Sequence, residues 1–234
     1  MKPGKLYLIP NLLGDAQVSK SLPSENLKIL GNINYFFVEK AKTARAFLKK
    51  CKHPTPIQEI ILNEIPKHDP KDDLFTWFKP LFEGTDAGLI SEAGLPAIAD
   101  PGENIIKYAH DMGIQVVPLV GPNSILMSLM ASGLNGQGFT FHGYLPIDKK
   151  ERSKKLKNLE ILARQYNQTQ IFMETPYRNT ALFDDIVRTC SPNTTLCLAK
   201  NITLHDEYIK TRTVGEWKAQ KPNLHKQPCI FLLH

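Results

Sequence analysis

No apolar run in the 234-residue chain reaches the roughly 18 residues needed to cross a bilayer. The N-terminal segment Leu6-Tyr7-Leu8-Ile9 stays apolar only until Pro10, too briefly for the core of a secretory signal. A cytoplasmic protein with no membrane partner is the expectation. Four cysteines, Cys51, Cys190, Cys197 and Cys229, make no C-x-x-C pair, and the seven histidines form no H-E-x-x-H cluster. No metal is therefore expected, and the thiols read as reduced and mostly buried. A G-x-G-x-x-G is missing after the first strand, where Ile9-Pro10-Asn11-Leu12-Leu13-Gly14-Asp15 stands, and so is G-x-x-x-x-G-K-[ST]. Both gaps count against dinucleotide-dependent dehydrogenases and P-loop enzymes. No Ser/His/Asp order or close Cys/His pair marks a nucleophile, and the chain has neither an internal repeat nor a low-complexity tract.

What is present is ordinary for a globular chain: 42% hydrophobic and 22% charged residues, enough for one large domain or two small ones. The formal net charge of +6 leans towards an anionic partner such as nucleic acid. Its distribution says more than its total. One concentration is Lys40, Lys42, Arg45, Lys49, Lys50 and Lys52; the other is Lys149, Lys150, Arg152, Lys154, Lys155 and Lys157. Each reads either as a solvated helix face or as a nucleic-acid footprint.

The first half alternates short β-rich runs with helical patterns. Strands are expected at Leu6–Ile9, Tyr35–Val38, Ile57–Leu62, Ala87–Ile90 and Ile114–Leu119. Between them lie amphipathic stretches at Ala41–Lys50 and Asp69–Phe82, and a helix that Asp100 caps, Pro101 opens and Gly113 ends. Gly121-Pro122-Asn123-Ser124 leads into a very apolar helix that stops near Gly133. Strand and helix in this rhythm indicate a parallel sheet with helices on its faces. The second half has strands at Phe139–Tyr144, Gln170–Met173, Thr195–Ala199, Glu207–Thr213 and Cys229–Leu233, with helices at Asp148–Tyr166 and Tyr177–Arg188. Its short connections predict a mixed sheet. Two α/β domains, residues 1–119 and 120–234, follow from this division.

Three segments are placed for chemistry. Ser91-Glu92-Ala93-Gly94-Leu95-Pro96 follows a buried strand, and ligands of open α/β sheets bind beyond the carboxyl ends of strands. Small residues there let backbone approach a ligand, and Glu92 suits a ribose or an amino group; the plainer alternative is a tight turn shaped by Gly94 and Pro96. Gly121-Pro122-Asn123-Ser124 opens a helix whose first N–H groups attract anions, with a simple N-cap role for Ser124 as the alternative. Glu174-Thr175-Pro176-Tyr177-Arg178 joins a strand to a helix. There Glu174 either ties off the junction or faces a ligand, and Arg178 pairs either with a substrate phosphate or with a nearby carboxylate such as Asp185.

In order and spacing these segments resemble the tetrapyrrole methylase superfamily. The closest branch is the ribosomal RNA small-subunit methyltransferase I family, which methylates a cytidine ribose 2′-oxygen. The likeness rests on Gly4-Lys5-Leu6-Tyr7-Leu8-Ile9-Pro10, on Ser91-Glu92-Ala93-Gly94-Leu95-Pro96 with Asp100-Pro101-Gly102, and on Val117-Pro118-Leu119-Val120-Gly121-Pro122. It continues through Ala131-Ser132-Gly133-Leu134, Phe139-Thr140-Phe141-His142-Gly143-Tyr144-Leu145-Pro146 and Glu174-Thr175-Pro176-Tyr177-Arg178. The resemblance implies two α/β domains of the tetrapyrrole methylase type, with S-adenosylmethionine in the cleft between them, usually in a homodimer. Pro10 would close one side. The loop of Ser91, Glu92, Ala93, Gly94 and Leu95 would approach the methionine and ribose, with Glu92 where the family commonly has Asp. Ser124 and Ile125 would cover another edge, Met173 and Glu174 would line the adenine side, and Pro228 would close it from the last strand.

The chain departs from the branch in places. The usual Glu-Asp-Thr-Arg after the second strand is Glu39-Lys40-Ala41-Lys42, and the usual Pro-Ile-Gly-Asn opening is Asn11-Leu12-Leu13-Gly14-Asp15. The sequence ends at His234, without the C-terminal extension of some members. On the resemblance these changes fall on the substrate side, while the cofactor-side motifs persist. Transfer to a hydroxyl needs a base, for which Glu39 at a strand end is the candidate. Lys40, Lys42, Arg152 and Arg178 are the candidates for contact with ribosomal RNA. A tetrapyrrole or other small-molecule methyltransferase, and a non-catalytic cofactor- or RNA-binding module, are the competing readings.

Overall fold

A computed structural model describes residues 2–66 and 71–234, with the side chains of 71–73 outside that description. The chain divides into two compact units, Met1–Asn123 and Ser124–His234.

The first unit runs β1 (Lys5–Leu8), α1 (Val18–Ser21), α2 (Ser24–Gly31), β2 (Tyr35–Val38), α3 (Ala41–Lys50), β3 (Ile61–Glu64), α4 (Lys71–Phe82), β4 (Ala87–Ile90), α5 (Glu103–Asp111) and β5 (Gln115–Pro118). Its five strands pair in the order β3-β2-β4-β1-β5, all parallel. Strands buried on both faces carry unbroken apolar runs, as Tyr35-Phe36-Phe37-Val38 and Ala87-Gly88-Leu89-Ile90 do here. Alternation then sorts the side chains by face. Ile9, Phe36, Val38 and Ile90 pack against Leu22, Leu30, Ala44, Phe47 and Leu48 of the α1–α3 segment. Leu6, Tyr35, Phe37, Ala87 and Leu89 pack against Leu74, Phe78, Leu81, Ile105 and Ala109 of α4 and α5. Each fully buried Leu or Phe contributes about 1.5–3 kcal/mol relative to exposure.

The second unit runs α6 (Ser124–Ser132), β6 (Phe139–Tyr144), α7 (Lys149–Tyr166), β7 (Thr169–Met173), α8 (Asn179–Thr189), β8 (Thr195–Lys200), β9 (Tyr208–Thr213), α9 (Val214–Ala219) and β10 (Cys229–Leu233). Its sheet is mixed, in the order β6-β7-β10-β8-β9, with β6 parallel to β7 and the other pairs antiparallel. The β6–β7 register shifts between Phe141 and Tyr144, a bulge at which Gly143 takes φ +64°. Asp148 caps α7 by accepting from the N–H groups of Lys150 (3.0 Å) and Glu151 (2.9 Å). Among the described residues the cysteines are free; Cys190, Cys197 and Cys229 are buried and Cys51 is half-buried. No described helix is long and apolar enough to cross a membrane, and the described residues hold no cluster suited to a metal.

Several expected boundaries move. The third strand starts at Ile61, because Ile57–Glu59 forms a 3-10 turn. The expected helix start at Asp69 lies outside the described residues. The helix expected to follow an Asp100 cap instead begins at Glu103, with Gly102 (φ +132°) at its N-cap and no side-chain cap bond. Positive φ at Ala97 (+64°) and Ala99 (+62°) coils the preceding loop and carries Asp100 away from the helix end. Gly113 does end α5, at φ +69°, and the Ile114 N–H reaches the Ala109 carbonyl at 2.8 Å.

Candidate functional site

Parallel strands open their carboxyl ends on one rim. In the first sheet the chain leaves β1 towards β2 over the face of α1 and α2, and leaves β4 towards β5 over the face of α5. Adjacent strands whose connections diverge to opposite faces leave a crevice beyond their carboxyl ends, the usual ligand position in such sheets. Pro10 and Asn11 follow β1 at that crevice, and Ser91–Leu95 follows β4.

Asn11 knits the two loops together. Its backbone N–H donates to the Gly94 carbonyl at 2.8 Å, and its Nδ2 donates to the carbonyls of Ser91 (3.0 Å) and Glu92 (3.1 Å). Its Oδ1 accepts from the Leu12 N–H at 2.8 Å, so the buried amide is well used. A third loop closes in. A Cβ on Gly121 would stand 2.1 Å from the Pro10 Cβ, and one on Gly94, already at φ +66°, would stand 3.4 Å from the Pro122 carbonyl oxygen. The turns at 10–12, 91–95 and 121–122 thus converge, and at 121 only glycine permits it. Among the described residues the N–H groups of Ala93, Gly94 and Leu95 have no acceptor in the protein.

Carboxylates gather at the same rim. Glu39, one residue beyond β2, gives its N–H to the Ile90 carbonyl and accepts the Glu92 N–H at 2.9 Å through Oε2. Glu92 in turn pairs with Lys40, whose pKa is raised chiefly by that hydrogen bond and charge. Asp100 is half-buried; burial, then the charge of Glu39, pushes its carboxyl up to about 6, with Ser91 pulling the other way. Lys42 stays on the exposed surface of α3. Sequence reasoning named Pro10, Glu39, Lys40 and the 91–95 loop here but passed over Asn11 and Asp100. An Asn placed just after a strand-ending proline was the available signal for the first.

The other named residues belong to the second unit. Ser124 and Ile125 open α6, and Ile125 is buried. Met173 ends β7 and Glu174 follows it, its side chain almost fully buried, accepting from the Thr175 N–H at 2.7 Å and from the Arg178 Nη2 at 2.6 Å. Arg178 therefore pairs with Glu174, not with Asp185. Among the described residues its Nε and the Oδ1 of fully buried Asn179 have no partner, while the Asn179 Nδ2 reaches the Gln227 carbonyl at 2.6 Å, next to Pro228. Arg152 is buried and internal. Its Nε donates to Asp185 Oδ2 at 2.7 Å, its Nη2 pairs with the same oxygen, and its Nη1 donates to the carbonyls of Pro146 (3.2 Å) and Ile147 (2.7 Å).

No family model matches the chain. Curated proteins do. The chain is 30% identical to the ribosomal RNA small subunit methyltransferase I of Buchnera aphidicola subsp. Schizaphis graminum, over 99% of this chain and 78% of that protein. It is also 30% identical to the Haemophilus influenzae protein of the same name (98% and 78% covered) and 28% identical to that of Escherichia coli O157:H7 (98% and 77%). Among solved structures, the methyltransferase CobJ aligns at TM-score 0.63 with 16% identity, over 98% of this chain and 93% of that one. A cobalt precorrin-4 methyltransferase of cobalamin biosynthesis aligns at 0.62 with 16% identity, over 98% and 94%. These two likenesses concern the fold, which is that of the tetrapyrrole methylases.

Proposed function

The chain belongs to the ribosomal RNA small subunit methyltransferase I family, and on that premise we propose that it moves the methyl group of S-adenosylmethionine to a ribose 2′-oxygen of ribosomal RNA. The observation that carries the reading is the convergence of the 10–12, 91–95 and 121–122 turns at the carboxyl ends of β1 and β4.

The residues present fit the cofactor chemically. Glycine at 94 and 121 leaves backbone where side chains would otherwise stand. The N–H groups of Ala93, Gly94 and Leu95 are donors in search of an acceptor, which a ribose oxygen or a carboxylate supplies. Pro10, Ser91, Glu92, Ala93, Gly94 and Leu95 are the residues assigned to it in the first unit. Ser124, Ile125, Met173, Glu174 and Pro228 are assigned to it on the family resemblance alone. The cofactor supplies a methyl on positively charged sulfur, an already activated leaving group.

What remains for the chain itself is to align a hydroxyl and to remove its proton. Glu39 suits the proton transfer, since the Glu92 N–H fixes one carboxylate oxygen and leaves the other for the proton. Lys40 and Lys42, just beyond it, carry charge of the sign that RNA phosphates require, as does Arg178 in the second unit. RNA as partner, a homodimeric state and a cytoplasmic setting belong to the same proposal.

The test is incubation of the protein with methyl-labelled cofactor and ribosomal RNA from cells that lack it, followed by mapping of the label. Label on a ribose 2′-oxygen of small-subunit RNA is the expected result. Label on a base, or none on RNA, overturns the assignment.

A further inference from the structure

The first three turns of α7 carry Lys149, Lys150, Lys154 and Lys157, and Arg188 reaches the same place from α8. With Asp148 and Ser153 they line an open groove of about 660 Å³ in the second unit. Five cations face one carboxylate there, a local excess of four against +6 for the whole chain.

Helix stability does not account for them. A helix's first turn favours negative charge, yet Lys149 and Lys150 occupy it. Lys150 and Lys154 stand four apart, where like charges repel. Among the described residues none of the four lysines has a carboxylate partner. The N-terminal N–H groups are already capped by Asp148, so the feature is a side-chain groove and not a bare helix end. Lys150, Ser153, Lys154 and Lys157 fall on one stripe at helical spacing, about 10 Å from first to last. Arg188 is fixed as the opposite wall: it pairs with Asp185, which the buried Arg152 holds from the other side. An unpaired cationic stripe of that length with a fixed arginine across from it suits a run of about two or three phosphates on one strand.

We propose that this groove takes the phosphate backbone of the RNA substrate, contributing affinity without reading sequence; the assignment rests on the RNA reading above. A phosphodiester strand is favoured over an acidic polypeptide because Lys150, Lys154 and Lys157 recur along one helical stripe and no hydrophobic residue lines the groove, whose side chains are those of Asp, Lys, Ser and Arg.

The experiment uses the full chain with Lys150→Glu, Lys154→Glu and Lys157→Glu combined, a milder Lys→Gln set at the same positions, and a control carrying Lys79→Glu, Lys107→Glu and Lys218→Glu, which makes the same change in net charge elsewhere. Affinity for the RNA that the unaltered protein labels is measured against salt, with cofactor affinity by calorimetry alongside. The groove set should lose at least tenfold in RNA affinity. Its slope of log affinity on log salt should be shallower by about 2, from about 0.7 per lost single-strand contact. Cofactor affinity should hold in every variant, and the control should stay within twofold for RNA. Unchanged RNA affinity and slope in the groove set, or an equal loss in the control, overturns the proposal. Retained RNA affinity with loss of polyglutamate binding overturns it in favour of an acidic polypeptide. If the unaltered protein labels no RNA, the RNA reading itself has failed, which is visible before any variant is made.

Discussion

The Glu39 carboxylate accepts the backbone N–H of Glu92 at 2.9 Å, across 53 positions of sequence. The bond joins the end of β2 to the loop after β4. It gives Glu39 a fixed orientation that neither strand alone would impose, and it places a carboxylate beside the turn assigned to the cofactor.

Glu39→Gln keeps an acceptor for that N–H but removes the basic oxygen. A base in proton transfer is worth about 10²- to 10⁴-fold, so kcat for RNA methylation should fall by that factor. Cofactor affinity by calorimetry should change less than threefold. An equal loss of cofactor affinity would move Glu39 from proton transfer to binding.

Asp100 predicts a pH effect on stability. Its folded pKa, about 6, lies above the ordinary 3.8, so the folded state binds more protons between those values. Stability contributed through this group therefore falls as pH rises from about 4 to 6 and stays reduced above that. Asp100→Asn should melt higher than the unaltered protein at pH 8, and the advantage should vanish below pH 4. Thermal melts over that range check it; an Asn variant that melts lower at pH 8 would contradict the stated cause.

Gly121→Ala tests the close approach of the turns. A Cβ would stand 2.1 Å from the Pro10 Cβ, so one loop must move. Overpacking of this kind costs about 1–3 kcal/mol. Urea unfolding should show that loss, with weakened cofactor binding in the fraction that remains folded.

Arg152→Met separates an internal strut from an RNA contact. It removes the buried partner of Asp185 but leaves Arg188, so the cost should sit near the low end for a broken buried pair, about 3 kcal/mol. RNA affinity of the folded variant should stay within twofold. A large loss of affinity with stability intact would restore Arg152 to the substrate.

How far the sequence exposed all this depended on the range of the determining contact. β4 and β10 match the apolar runs that announced them, because burial on both faces leaves a local mark. The α5 start was misplaced because Asp100-Pro101 satisfies a local capping rule, while the loop that overrides it depends on unusual φ at Ala97 and Ala99. α9 went unread although Thr213-x-x-Glu216 forms a true capping box in the structure. In the site, strand ends were readable and partners were not. Arg152 stood within a basic run, and only the fold brings Asp185, 33 positions on, to its guanidinium. The same fold adds Arg188 to the lysines of α7, a wall that no local pattern foretold.

The irregularity in β6 has a further effect. β6 lies at the rim of the second sheet, and Phe139 and Tyr144 on it are exposed. A straight outer strand of that composition would offer a template to any unfolded chain. The offset between Phe141 and Tyr144 breaks the outward row of N–H and carbonyl groups, so an incoming strand meets at most a few matched donors before losing step. The kink thereby guards the protein against edge-to-edge aggregation.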